Sequence, residues 1–333
     1  MKPKTSFRKY DPDVFLLIRD FLSKNYMKFF EPVNWDIVRW NYTRYFCAPM
    51  LGAWGLGETE EKVPDTTGEK SIQAIQLWES SVGVWETDCG DIAGVVCPDE
   101  YVAWHPAFGQ AFLQRHPDYE HLLPEMLEYA EGTFIGKNPT NPTNNSRNAT
   151  RIYVAENDYA LIEAAQTRGF IRDEKPCMDY TEFDLKNIPA SDLPHGYRFV
   201  TMAENNDVGK RRKIFGLSFR HPDPNDWPTA FSYEELQKAP DYRKELDIVV
   251  ERPDGEWVAC TIAWYDEYNK IGTLEPVGSI QLGMGREVTL EGLRRLRELG
   301  AEVAHMNSGL QFYKKVGFRR RFSIYRWVRT REK

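Results

Sequence analysis

Residues 274–286, LEPVGSIQLGMGR, hold the groups best suited to chemistry. Leu274, Val277 and Ile280 favour a strand, and Gly283 and Gly285 then make a turn whose backbone N–H groups are bare of side chains. The run REVTLEGLRRLREL that follows spaces Leu290, Leu293, Leu296 and Leu299 for one face of a helix. A helix start presents unpaired N–H donors and about half a positive charge. Set after a glycine turn, it suits an anion such as a pyrophosphate. Farther on, GLQFYKKVGF predicts a second helix that carries Tyr313 and ends at Gly317. Together the two segments point to an enzyme that binds a phosphorylated carrier and places a tyrosine near its reactive end.

The elements that must position these residues fall into two blocks, 1–187 and 188–333, with the proline-rich stretch 186–196 between them. In the first, 11–26 has helical spacing with Val14, Leu17, Ile18 and Phe21 on one face, and 34–46 is a second helix with Asn34 as N-cap. SIQAIQLWES and SVGVWETDCGDIAGVVC read as strands of a meander, HLLPEMLEYAEG as a helix, and GKNPTNPTNNSRNAT as an exposed, mobile loop. A strand (RIYVAEND), a helix (YALIEAAQTRGF) and a closing strand (MDYTEFDL) complete the block. The second block repeats the order: strand 197–204, helix NNDVGKRRKIFGLSF, a proline-rich loop at 221–231, then a helix with a capping box from Ser232 to Glu235. Three strands follow, the first two joined at Pro253-Asp254-Gly255. Each block ends its last helix on Gly-Phe, but Ala165 stands in the first where Tyr313 stands in the second.

The second block resembles the GNAT superfamily of acyl-CoA-dependent N-acetyltransferases. The resemblance rests on EPVGS, then GMGREVTLEGLRRLRELGA, then GLQFYKKVGF, detailed over 271–320 and by order of elements over 197–330. The first block resembles a degenerate copy, which implies an α/β (α+β, mixed-sheet) fold of two GNAT-like domains in tandem. The family's loop is longer and carries Arg or Gln where Ile280 stands here, with Gln281 beside it. By this resemblance Val277, Gly278 and Ser279 offer backbone groups to a pantetheine arm, and Gln281, Gly283, Met284, Gly285 and Arg286 surround the pyrophosphate of acetyl-CoA.

The resemblance also makes Tyr313 the acid that meets the departing thiolate, whose thiol has a pKa of about 8.5. Glu275 matches the usual position of the base. An alkyl amine of pKa about 10.4 is neutral to only about one part in 2,500 at pH 7, so some group must take its proton. Asp266 and Glu267 are the other candidates. Plainer readings stand beside each of these: a strand-to-helix turn for the glycines, a core aromatic for Tyr313, an outward strand residue for Glu275. The corresponding alternative for the whole chain is a non-catalytic GNAT-fold binding protein with a disabled loop.

Composition bounds the rest. A net charge of −7 argues against a general nucleic-acid binder and for a small-molecule or peptide amine. The basic run 319–330 reads as one face of a terminal strand. Five cysteines without CxxC give no zinc or disulfide framework, and the histidines show no metal spacing, so no metal is expected. Asn307 or Ser308 is expected to cap the last helix. Neither an apolar leader nor an 18-residue apolar run is present, which predicts a cytoplasmic protein without a membrane span.

Overall fold

The computed structural model describes residues 5–53, 68–99, 110–135 and 149–330. The first half contributes strands β1 (Thr5–Lys9), β2 (Gly83–Thr87), β3 (Ile92–Cys97), β4 (Gln110–Arg115), β5 (Ala149–Ala155), β6 (Ile171–Arg172) and β7 (Met178–Asp184). Its helices are α1 (Phe15–Asn25), α2 (Ile37–Tyr42), α3 (Ala48–Ala53), α4 (Glu69–Ser81), α5 (Leu123–Thr133) and α6 (Tyr159–Thr167), and a π turn at Thr43–Cys47 joins α2 to α3. The second half contributes β8 (Arg198–Thr201), β9 (Asp247–Glu251), β10 (Trp257–Asp266), β11 (Ile271–Ser279), β12 (Val303–Asn307) and β13 (Arg319–Thr330). Its helices are α7 (Val208–Ser218), α8 (Ala230–Leu236), α9 (Met284–Glu298) and α10 (Gln311–Val316).

Among the described residues all strands join one mixed sheet, in the order β1-β2-β3-β4-β5-β13-β7-β12-β11-β10-β9-β8, with β6 added to β13. β4 with β5 and β11 with β12 are parallel pairs, and the remaining ladders are antiparallel. The mixed α/β architecture is therefore as the sequence predicts. The order reads alike from either edge, because the halves exchange strands. β13 leaves the second half to pair with β5, from Ile324 opposite Ala155 to Thr330 opposite Ala149. β7 leaves the first to pair with β12, from Val303 opposite Asp184 to Asn307 opposite Tyr180. The basic run thus lies on an interior strand, where Arg321, Arg326 and Arg329 each pair with a carboxylate.

The largest core lies between the halves. Trp40, Phe46 and Trp78 of the first pack with Phe215, Tyr233 and Trp264 of the second. The Phe46 ring lies 5.3 Å from Phe215 and 5.2 Å from Tyr233, both edge-on, a geometry that adds to the area these rings bury. No helix among the described residues is long and apolar enough to cross a membrane.

Several local expectations give way. SIQAIQLWES is helical, not a strand: Ser71, Ala74, Ile75 and Trp78 are buried at helical spacing. Ser71 Oγ donates to Pro49 O at 2.8 Å, so a polar residue serves on the buried face. On α1, Leu17 is half exposed while Phe15 and Leu22 are buried beside Ile18 and Phe21. Asp36, not Asn34, caps α2, accepting from Arg39 N at 2.8 Å. Thr229 caps α8 ahead of Ser232. Leu310 occupies the cap position of α10 in place of Asn307 or Ser308, although Ser308 Oγ accepts weakly from Leu310 N. Most of the loop expected at 136–150 lies outside the described residues.

Candidate active site

β11 and β12 part company where the site begins. Their ladder holds only Ile271–Val303, Gly272–Ala304 and Thr273–His305, yet β11 runs on to Ser279. On its other side β11 stays bound to β10, with Val277, Gly278 and Ser279 opposite Thr261, Cys260 and Ala259. The register slips between Leu274 and Val277, so Glu275 and Pro276 together face the single residue Ile262. Such a bulge bends its strand, and Pro276 has no N–H to give to a ladder. From Leu274 onward the β12-side edge of β11 has no ladder partner among the described residues, and its end at Ser279 reaches a groove. Trp264 Nε1 holds the bulge by donating to Glu275 O at 2.8 Å. Glycines let neighbours close in here: a Cβ on Gly278 would stand 2.7 Å from Ser218 Cβ, and one on Gly292 of α9 would stand 2.7 Å from Leu274 Cδ2.

The turn after β11 is tied by Ile280 N to Val258 O at 3.0 Å, and by Ser279 Oγ donating to Gln281 O at 2.8 Å. Gly283 caps α9 at φ +86°, in the region that favours glycine. Met284 N donates to Gln281 O, whereas the amides of Leu282, Gly283 and Gly285 find no acceptor among the described residues. Three free donors at a helix start are an arrangement that suits an anion. They border an open groove of about 630 Å³ lined also by Ile280, Phe312 and Lys315.

Not every expected contact faces this groove. Met284 buries its side chain in the core, and Gln281 Nε2 donates to Tyr197 Oη at 3.0 Å. Arg286 pairs with Glu287 at 2.6 Å and remains part exposed at the groove edge. Burial alone would raise the Glu287 carboxyl, but donors from Asp192 N, Ser191 and Arg286 hold it below the usual range. Those bonds fasten the 186–196 stretch to the start of α9. Lys315, in plain sight within FYKKVGF, is a cation at the groove that the sequence reading did not single out.

Tyr313 on α10 and Glu275 on β11 lie within electrostatic reach of each other. α10 is closed by Gly317 at φ +128°, and Tyr313 is buried against Phe312 and Phe318, with ring centroids 4.9 and 5.8 Å away. Burial, then the nearby negative charge of Glu275, pushes the phenol upward, so it stays protonated and able to donate. Burial raises the Glu275 carboxyl too; Arg39 opposes that shift and Asp36 adds to it. Arg39 and Asp36 belong to the first half and were not read from the sequence. Asp36 accepts from Thr273 Oγ1 at 3.1 Å, and Arg39 pairs with Asp99 while lying over the Trp35 ring. Asp266 lies at the opposite end of β11, opposite Ile271, where it accepts from Ser23 Oγ and Asn269. It orders that turn, with Glu267 beside it. His221 lends its carbonyl to Trp227 Nε1. Among the described residues no group of three or more His, Cys, Asp or Glu side chains could hold a metal.

The first half repeats the splay and closes it. β4 and β5 pair only at Gln110–Arg151 and Ala111–Ile152, then separate. Asn34 enters between them, its Nδ2 donating to Arg115 O at 2.8 Å and its Oδ1 accepting from Arg115 N at 2.9 Å. Gln114 Oε1 accepts from Trp35 N, and the buried Arg115 guanidinium binds both Asp158 oxygens. Ala165 is fully buried in place of a tyrosine.

No protein-family model and no curated protein matches the sequence. Solved structures do. A GCN5-related N-acetyltransferase from Sphaerobacter thermophilus is similar at TM-score 0.53 and 13% identity, over 98% of this chain and 95% of that one. A tandem GNAT protein of the clavulanic acid biosynthesis pathway is similar at TM-score 0.50 and 13% identity, over 98% of both chains. A GCN5-related glucosamine N-acetyltransferase region of a fungal multi-domain GH3 β-N-acetylglucosaminidase is similar at 0.51 and 13%, over 98% of this chain and 38% of that one. With likenesses that span nearly all its length, and with the paired splays described above, this chain has the fold of the tandem GNAT acetyltransferases.

Proposed function

We propose that the protein is an acetyl-CoA-dependent N-acetyltransferase acting on a primary amine of a small molecule or peptide. The single observation that carries this reading is the splay of β11 from β12, a strand that carries Glu275 near Tyr313 and leads to the free amides at the start of α9. Residues 188–333 carry the site, and residues 1–187 form the closed copy. The amides of Leu282, Gly283 and Gly285, with Arg286 and Lys315 near them, would hold the pyrophosphate, and the free edge at Val277–Ser279 would hold the pantetheine arm. The co-substrate supplies an activated acetyl thioester. Glu275 takes a proton from the attacking amine, its raised carboxyl being a better match to that task than an ordinary one. Tyr313, held protonated, donates to the sulfur. The acidic chain favours a cationic acceptor, and its five free cysteines suit the cytoplasm.

A second reading, a GNAT-fold binding protein without turnover, draws on Ile280, a partly exposed apolar side chain where the family carries Arg or Gln. Calorimetry with acetyl-CoA and thiol release across an amine panel decide between them. Micromolar binding with turnover sustains the enzyme, and binding without turnover for any amine sustains the alternative. Absence of both sinks the acyl-CoA assignment.

A further inference from the structure

A set of buried polar side chains near β11 has no part in the reaction outlined above. Tyr26, at the end of α1, and Tyr180, on β7, bring their hydroxyls within 2.7 Å of each other. Both reach Nδ1 of His305 on β12, Tyr26 at 3.0 Å. Nε2 of the same ring lies 3.5 Å from Glu182 Oε2, and Glu182 is 30% exposed and paired with Arg321. Burial pushes both phenols far above their ordinary range, and nearby carboxylates add to that, so each keeps its proton. Nδ1 is then the acceptor and Nε2 carries the hydrogen toward Glu182. Besides these partners, the charge facing His305 is that of Asp36.

The inner end of the set lies beside Asp36 and Arg39, whose charges act on Glu275. Tyr26, Tyr180, Asn34, Asp36 and Arg39 line one cavity of about 50 Å³. A water needs roughly 10–15 Å³ and two or more polar partners, and this cavity offers both. Asp36 is bonded to Thr273, which lies opposite His305 in the ladder and two residues before Glu275.

We infer that Asp36, water in this cavity, Tyr26, His305 and Glu182 form a relay that carries the proton taken by Glu275 out to solvent. Glu275 returns to its carboxylate by passing the proton to Asp36. Asp36 passes it to water, water protonates the Tyr26 oxygen, and Tyr26 gives its own hydrogen to Nδ1 of His305. Nε2 releases a hydrogen to Glu182, which faces solvent. Each O–H or N–H bond that breaks is replaced by one that forms, and no electron changes hands. The inference rests on the acetyltransferase reading. An alkylammonium acceptor must release one proton per turnover, whereas an amine already neutral at the assay pH releases none, because the thiol product keeps it.

The test compares Glu182→Gln and Tyr26→Phe with the wild type, using an alkylamine and a weakly basic aryl hydrazine at pH 7, in H₂O and D₂O. Glu182 is partly exposed, so its amide variant keeps the fold, and acetyl-CoA calorimetry verifies that the site is intact. The relay predicts that both variants lose about tenfold or more in kcat for the alkylamine relative to the hydrazine, with a larger solvent isotope effect for the alkylamine. Equal losses on both acceptors, or no loss on either, overturn the relay while leaving the acetyltransferase reading intact. A wild type that turns over neither acceptor overturns both.

Discussion

Replacing Glu275 by Gln removes the proton acceptor while keeping the shape of the site. The bond from Trp264 Nε1 goes to the carbonyl of residue 275, so the bulge survives the change. Without Glu275 the variant must wait for an acceptor that arrives neutral. For an alkylamine at pH 7 that is about one molecule in 2,500, a handicap of about 4.6 kcal/mol. A loss of about 10²–10⁴ in kcat/KM is expected, the usual range for a general base. The pH profile is the sharper assay. Burial lifts the wild-type carboxyl, so the acid limb of kcat/KM should lie above the ordinary carboxylate range. In the variant that limb should vanish, and the rate should climb about tenfold per pH unit toward the amine's own pKa. A variant that keeps the wild-type profile at any amplitude refutes Glu275 as the base.

The same carboxyl has a cost in stability. Its folded pKa is raised, so the folded state binds the proton more tightly than the unfolded one, and stability falls as pH rises from the unfolded value through the folded value. Glu275→Gln should therefore raise the melting temperature at neutral pH, with the gain fading below about pH 4, and a scan of Tm against pH reads this directly. Tyr313→Phe should lower kcat about 100-fold while leaving acetyl-CoA binding by calorimetry unchanged; an unchanged kcat would return Tyr313 to the core. Gly285→Glu sets a side chain within 3.2 Å of Ser279 Cβ and a negative charge at the free amides. Acetyl-CoA should bind at least about tenfold more weakly, about 1.4 kcal/mol, with an unaltered circular dichroism spectrum. Asp247→Ala strands the fully buried Arg211 guanidinium, which also contacts Tyr233, and should cost about 3–5 kcal/mol in urea unfolding. The paired change Arg211→Met with Asp247→Leu should recover most of that loss.

What the sequence disclosed was local. Gly283, Gly285 and the leucines of α9 declare a turn and a helix within a few residues, because backbone freedom and a 3.6-residue period are short-range properties. Residues 71–80 misled for a related reason. Ala74, Ile75 and Trp78 mark the buried face, but Ile72 is exposed and Ser71 is buried, which breaks the helical period in the sequence. Leu17 repeats the case on α1. The exchange of β7 and β13 could not be read at all. An alternating pattern announces a strand but does not name its neighbour, and these neighbours lie far away in the chain. Asp36 and Arg39 escaped notice likewise, since only the fold brings the start of α2 to Thr273 and within electrostatic reach of Glu275.

The closed copy explains what the open one is for. Parting two parallel strands strands main-chain donors and acceptors, and leaving such a group buried without a partner costs about 1–3 kcal/mol. The first half buries its splay and must satisfy it from within. Asn34 supplies both a donor and an acceptor to Arg115, and the Arg115 guanidinium is in turn held by Asp158. The second half meets Glu275 O with Trp264 Nε1 and leaves the amides beyond β11 open. The free edge of β11 and the amides of Leu282, Gly283 and Gly285 stay beside an open groove, with Lys315 and Phe312 at its margin. The two halves thus solve one backbone problem differently, and the side that leaves polar groups unpaired is the side to which the proposed function assigns the acyl-CoA. Asp36 follows Asn34 by two residues, so the plug that seals one splay also sets a carboxylate against the other.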